Sequence, residues 1–302
     1  MPNDSQTTHP PFFIVGSARS GTTMLRLTLN SHPHVAVPPE SRFVIELWPQ
    51  SGEVEVDGYL SKLATHRQFQ AWHLDVAQIR PLLEGSSRVP YRRAIEATYE
   101  AFTRAHGKDR WGDKTPRYVE NIERLSELFP EARFVHLVRD GRNVALSYAH
   151  TDFGPKTVSK AAAVWKRRVS LGFQQGRGLG AARYLEIRYE ELAENNEAVV
   201  KEICDFLDIE FDPKMFDEGE RAKGAHDRAQ RFNPHVTGEA IAKTRAWQED
   251  MPAEQIEVFE AVAGDVLSEL GYERRFPMPS AGAKLRARAG LAGLPLDKLE
   301  KD

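Results

Sequence analysis

The chain carries one cysteine in 302 residues, Cys204. A single thiol makes no internal disulfide and joins no multi-cysteine metal cluster. Its place in VVKEICDFLDIEF, at an apolar helical position, predicts a buried, inert group. Long apolar runs are missing as well: no stretch of about eighteen apolar residues occurs, so no ordinary membrane-spanning helix is expected. The opening residues, MPNDSQTTHPP, show no basic region followed by an apolar run, which predicts a cytoplasmic protein without a membrane anchor. Neither sign of charge dominates. With 41 Lys and Arg against 44 Asp and Glu, a net charge of −3 gives no global pull toward nucleic acid or anionic lipid, so any anionic ligand is held by a local basic site. The ten histidines show no H-x-x-x-H or comparable spacing, so no metal is expected and they read as structural. His34, beside Pro33 and near Glu40 in sequence, is a minor active-site candidate. No internal repeat and no Pro/Ser/Gly linker divides the chain.

Five short segments predict strands: FFIVG (12–16), HVAV (34–37), RWGD (110–113), RFVHLV (133–138) and YLEIRY (184–189). The first and fourth are continuous apolar runs, the pattern of strands buried on both faces. PRYVENIERLSELF (116–129) sets Pro116 at a helix start and spaces Val119, Ile122, Leu125 and Phe129 along one face. Strands alternating with such helices predict an α/β protein with a parallel sheet of about five strands flanked by helices. Residues 44–106, rich in helix formers and aromatics and without a strong strand run, read as a helical insertion whose aromatics form either an acceptor surface or a core. Residues 252–271 predict a closing helix with a proline start and a glycine stop. The organisation expected is one domain over 1–277 and a tail over 278–302, either loose or an extra helix.

Residues 12–26, FFIVGSARSGTTMLR, order a strand, a tight turn and a helix start. From Gly16, GSARSGTT meets the phosphate-loop pattern G-x-x-x-x-G-K-[ST] at every fixed position but one: Thr22 stands where the lysine belongs. The turn aims backbone N–H groups and the positive end of the helix at one point, so an anion is expected there, with the Thr22 and Thr23 hydroxyls as further donors. Arg19 sits inside the turn. That arrangement suits a donor with fewer charges than a triphosphate, and a sulfuryl group, with one negative charge less than a phosphoryl group, is such a donor. A second fragment, FVHLVRDGRNVALSY (134–148), puts Arg139 at the carboxyl end of a strand and Ser147 about two helical turns further on. Both could face the crevice where open α/β sheets bind ligands. An arginine with a hydroxyl recognises a terminal phosphate dianion; the bland alternative is a surface Arg139–Asp140 pair with Ser147 as filler.

The run ARSGTTMLRLTLNSHPHVAVPPESRF resembles the 5′-phosphosulfate loop of the sulfotransferases that use 3′-phosphoadenosine 5′-phosphosulfate (PAPS). It is most similar to the tyrosylprotein sulfotransferase branch and its bacterial relatives, which have arginine before SGTT where cytosolic sulfotransferases have lysine. The resemblance implies a P-loop-containing nucleoside triphosphate hydrolase-like fold, PAPS as donor, adenosine 3′,5′-bisphosphate as product, and no metal. It implies that Arg19, Ser20, Gly21, Thr22 and Thr23 hold the phosphosulfate, with Arg19 stabilising the transferring group, and that Arg139 and Ser147 bind the 3′-phosphate. Glu40, 21 positions beyond Arg19, matches the offset of the branch's catalytic glutamate, which takes the acceptor's proton. Its alternative is a charge at the N-terminus of the SRFVIELW helix. Pro38 and Pro39 depart from that branch and suggest a loop shaped for another acceptor. By the same resemblance Lys114, in WGDKTP, contacts or protonates the leaving oxygen, or else simply flanks a helix, and Asp113 orients the lysine or caps the helix.

Tyr189 either approaches the nucleotide or packs at its strand end. FNPHVTGEAIAKTRAWQEDMP resembles the segment that closes over the cofactor, with Thr244 and Arg245 as 3′-phosphate or ribose contacts and Lys243 as an alternative. Arg26 reads as part of a solvated helix face rather than a phosphate or adenine contact. Met24 stands where cytosolic relatives stack a tryptophan on adenine, so adenine packing must come from elsewhere. The function implied is transfer of a sulfuryl group to an acceptor hydroxyl with Glu40 as base. A small-molecule acceptor is preferred over peptide tyrosine, because the tyrosylprotein enzymes are membrane-anchored and secretory, whereas this sequence shows neither anchor nor cysteine pairs. A phosphate-loop small-molecule kinase, for which the lysine is missing, and a non-catalytic nucleotide-binding module are the alternatives. Oligomeric state is not readable.

Overall fold

The computed structural model describes residues 9–223 and 246–292. Its centre is a parallel sheet of β1 (Phe12–Gly16), β2 (Val35–Ala36), β5 (Arg110–Lys114), β6 (Arg133–Val138) and β7 (Tyr184–Arg188), in the order β2-β5-β1-β6-β7. β1 lies in the middle, paired in parallel with β5 on one side and with β6 on the other. Every β1 residue is buried, which is why its sequence is continuously apolar rather than alternating. Phe13 and Val15 face one core with Phe134, while Phe12 and Ile14 face another with Val135 and Leu137. Each fully buried phenylalanine stabilises this sandwich by about 1.5–3 kcal/mol.

Helices cover both faces of the sheet. On the Phe12 face lie α1 (Thr22–Asn30) and, beyond the short α9 (Tyr189–Glu194), α10 (Asn196–Leu207). Two further helices, α7 (Gly141–Tyr148) and α8 (Val158–Gly176), pack with Ala253–Glu269 around Val138, Trp165 and Phe259. That last helix has the proline start and glycine stop read from the sequence. Gly271 is left-handed (φ 72°), and the Tyr272 and Gly271 amides bond back to Leu267 and Ser268 (2.9 and 3.0 Å), a Schellman ending. In the C-terminal stretch Ala281–Leu291 form a helix, docked on its neighbour through Ala283 and Ala287.

The parallel α/β sheet is as read from sequence, and so is its strand count. Two details differ. Residues 116–129 are not one helix: Pro116–Glu120 form a 3-10 turn, Asn121 leaves helical geometry (φ −135°), and α6 spans Ile122–Leu128. All four spaced apolar residues are nonetheless fully buried, because the periodicity reports the face and not the hydrogen-bond pattern. The second difference lies in the insertion. Besides α3 (Val56–Thr65), α4 (Arg67–Gln70) and α5 (Tyr91–Ala105), it holds an antiparallel pair of three-residue strands, β3 (Glu53–Glu55) and β4 (Arg88–Pro90). Such strands are too short to leave a period-two signal. The insertion aromatics are core: Phe69, Trp72, Tyr91 and Tyr99 are all at most 3% exposed.

Candidate active site

Because the five strands are parallel, their carboxyl ends share one edge of the sheet, and the chain leaves that edge in the segments singled out from sequence: 16–21, 37–42, 115 onward, 139–141 and 189. His34 lies elsewhere. It precedes β2, at the opposite edge, where it is exposed and pairs with Asp109 (3.3 Å) just before β5. It is therefore not an active-site residue; closeness to Glu40 in sequence is undone by the strand between them. His32 and His136 are structural: the former contacts Glu210 O (2.8 Å), and the latter, buried in β6, bonds Tyr184 Oη (2.6 Å) with its pKa pushed down to about 3 by burial.

The loop after β1 is built around two left-handed residues, Arg19 (φ 72°) and Gly21 (φ 92°). Gly21 is required twice over. Beyond the backbone angle, a Cβ there would lie 2.4 Å from Cδ2 of Tyr189. α1 begins at Thr22 with no side-chain cap on its N-terminal amides, so those donors face the loop's concavity. Thr22 is buried and Thr23 half-buried in the first turn. Ser20 is fully buried, and its Oγ has no hydrogen-bond partner among the described residues. A buried hydroxyl in a loop of inward amides fits an anionic oxygen.

Arg139, Ser147 and Arg19 meet at this loop. Arg19 Nε donates to Ser147 Oγ (2.9 Å), and Arg139 Nη1 donates to the Arg19 carbonyl (3.2 Å). The Arg139 guanidinium lies over the Tyr189 ring, 4.2 Å from its centroid. Tyr189, 8% exposed, is thus a shelf shared by Arg139 and Gly21. Two groups unmarked in the sequence complete the mount: Trp165 Nε1 of α8 donates to the Arg139 carbonyl (3.0 Å), and Glu190 Oε1 accepts from the Asp140 amide (3.0 Å). Asp140 is no surface partner of Arg139. It caps α7 and pairs with buried Arg142 (2.8 Å), which also reaches Glu260 (2.7 Å).

On the other side of β1, Lys114 at the end of β5 donates from Nζ to Glu40 Oε1 (2.9 Å). The lysine side chain is 6% exposed and that of Glu40 37%, so a buried ammonium holds a partly exposed carboxylate. Glu40 stands on a loop that precedes α2 (Phe43–Glu46) and so lies outside that helix. Arg26 is not on a solvated face. It is 3% exposed, donates to Val37 O (2.9 Å) beneath the Glu40 loop, and has its pKa lowered to about 10 by burial, partly offset by Glu40. Its apolar neighbours, in MLRLTL, were the signal: α1 is buried almost all round. Asp113 neither caps a helix nor faces Lys114. Strand alternation turns it into the insertion core, where Tyr99 Oη donates to Oδ2 (2.5 Å), and burial pushes its pKa up to about 6 against the pull of Tyr99, Ser41, Thr115 and Lys114. Thr244, Arg245 and Lys243 lie outside the described residues.

The fold and loop define a P-loop-type scaffold in which Thr22 stands in the place of the lysine and the Glu40–Lys114 pair lies at the same sheet edge as the loop. The chain belongs to the sulfotransferase family, whose profile matches residues 10–213. It is similar to protein-tyrosine sulfotransferase A of Caenorhabditis elegans, 25% identical over 91% of this chain and 70% of that protein. It is likewise similar to the nodulation protein NoeE of Sinorhizobium fredii, 26% identical over 87% of this chain and 66% of that one. Among solved structures, the sulfotransferase domain of the Synechococcus PCC 7002 olefin synthase superposes with a TM-score of 0.65 over 90% of this chain and 98% of that domain, at 23% identity, which supports the fold. Among the described residues, no helix is long and apolar enough to cross a membrane.

Proposed function

We propose that the protein transfers a sulfuryl group from PAPS to the hydroxyl of a small-molecule acceptor, with Glu40 as general base. The observation that carries this reading is the Lys114–Glu40 pair at the same sheet edge as the Arg19–Arg139–Ser147 cluster. Bound PAPS would supply the sulfuryl group, with a singly charged centre needing less counter-charge than a phosphoryl group. The loop amides, Ser20, Thr22 and Thr23 hold its 5′ side. Arg139 and Ser147 take the 3′-phosphate, and Arg19, at hydrogen-bond distance from Ser147, links the two ends of the donor site. Glu40 accepts the acceptor's proton, and Lys114 fixes the carboxylate and would supply positive charge to the leaving group of bound PAPS.

Glu40 is the residue that separates this reading from a binding module. The test is radiolabel transfer from [35S]PAPS to a panel of primary alcohols, phenols, sugars and a tyrosine peptide, run on wild type and Glu40→Gln. Transfer to a small hydroxyl, lost by about 10²–10⁴-fold in the variant while product affinity persists, supports the reading. Equal transfer by both proteins sinks the base assignment, and exclusive use of the peptide sinks the acceptor class. Support for a small acceptor is the Pro38–Pro39 pair before Glu40 and the single cysteine, which also favours a reducing, cytoplasmic setting.

A further inference from the structure

The loop that carries Glu40 is not one that would hold its shape alone. It runs from Pro38 and Pro39 through Glu40 to Arg42, a non-glycine residue with positive φ (45°), and the Phe43 amide turns back onto the Ser41 carbonyl. Backbone of this kind persists only where its surroundings over-determine it. The surroundings here are specific. Immediately before Glu40, the Pro39 carbonyl accepts a hydrogen bond from Trp72 Nε1 (2.9 Å). Immediately after it, the Ser41 amide donates to Thr115 Oγ1 (3.0 Å), while Ser41 Oγ lies 2.8 Å from Tyr118 Oη. Further on, Tyr91 Oη donates to the Phe43 and Val44 carbonyls (3.0 and 2.9 Å). The base is therefore bracketed on one side by the sheet, through Thr115, and on the other by the insertion, through an indole.

Trp72 is itself fixed. It is 3% exposed, and its ring meets Phe43, Tyr99 and Phe102 edge-on at 5.1, 5.0 and 5.2 Å. Tyr99 in turn stacks on Trp111 (4.1 Å) and bonds Asp113. The indole N–H is thus a rigid strut from the insertion core to the residue before the base. We propose that Trp72 and Thr115 are positioning residues that hold the Glu40 carboxylate in register with Lys114 and the loop edge, Trp72 from the insertion and Thr115 from the sheet. The insertion thereby serves the chemistry. This inference rests on Glu40 being the base.

Two variants test it. Trp72→Phe keeps a ring in the cluster and removes the N–H; Thr115→Val keeps the shape and removes the acceptor of the Ser41 amide. Each is expected to lower kcat about 10- to 100-fold, the effect of misplacing a reacting group by about 1 Å, with adenosine 3′,5′-bisphosphate affinity unchanged. Each is then made in a Glu40→Ala background and assayed with [35S]PAPS on the best acceptor of the panel. A residue that acts through Glu40 loses its effect there, whereas one that merely supports the fold lowers the residual activity by the same factor again, which overturns the proposal while leaving Glu40 as base. If Glu40→Ala is itself fully active, the base reading fails instead. A crystal structure of Trp72→Phe gives a check that needs no acceptor: the Lys114–Glu40 contact is expected to lengthen, and an unmoved Glu40 loop contradicts the proposal. Should Trp72→Phe not fold, Thr115→Val carries both readouts.

Discussion

Asp113 gives the sharpest stability test. Its carboxylate is fully buried, and burial lifts its pKa from 3.8 to about 6 despite the Tyr99 hydroxyl and the nearby Lys114. The folded protein therefore binds this proton more tightly than the unfolded chain does. Between pH 4 and 6 the folded state holds more protons, so stability from this group is present at low pH and is lost as pH rises toward and through the folded pKa. Raising this pKa from 3.8 to about 6 makes the total loss about 3 kcal/mol, at about 1.36 kcal/mol for each tenfold change in proton affinity. Asparagine at 113 stays neutral at every pH and can still accept from Tyr99 Oη. In urea titrations of wild type and Asp113→Asn from pH 4 to 7.5, the variant's advantage over wild type should grow by about 2.4 kcal/mol with rising pH, part of the total having been lost already at pH 4, while all other titrating groups cancel in the difference. A flat difference would refute the buried-acid reasoning. A difference that shrinks with pH would mean that the ionised form is the one the protein stabilises.

Other outcomes follow from single contacts. Gly21→Ala places a β-carbon against the Tyr189 ring at positive φ, so a loss of at least about 1–2 kcal/mol is expected in thermal unfolding, together with weakened binding of adenosine 3′,5′-bisphosphate as Arg139 loses its shelf; wild-type values for both would contradict the loop geometry. Cys204 is fully buried, with its pKa pushed up to about 11 mainly by burial, so Ellman's reagent at pH 8 should label it only after denaturant is added. Prompt labelling of the folded protein would place the thiol elsewhere. Arg26→Met removes the donor to Val37 O, and a several-fold loss of transfer with unchanged product affinity is expected, whereas a loss of product affinity would put Arg26 in the donor site instead.

What could be read from the sequence depended on how local the physics was. FFIVG and RFVHLV match β1 and β6 residue for residue, because strands buried on both faces need nearly every side chain apolar; His136, the buried polar exception in β6, bonds Tyr184 Oη. The anion loop was legible because its glycines and hydroxyls act within one turn. Arg26 was misread, since one charge in a helix suggests solvent until burial of the whole helix is known. The β3–β4 pair, three residues on each strand with two α-helices and two 3-10 turns between them, left no pattern. Least legible was the support of Glu40: the contacts from Lys114, Thr115 and Trp72 span 74, 74 and 33 residues and arise only when the sheet and the insertion close on each other.

A donor site for a 3′-phosphorylated adenine nucleotide is put to the test by calorimetric titration. Adenosine 3′,5′-bisphosphate and ATP with Mg²⁺ are titrated into wild type and into Arg139→Ala. Tight binding of the bisphosphate, little binding of ATP, and loss of the bisphosphate signal in the variant are expected. Preference for ATP with Mg²⁺, or bisphosphate binding indifferent to Arg139, would contradict it.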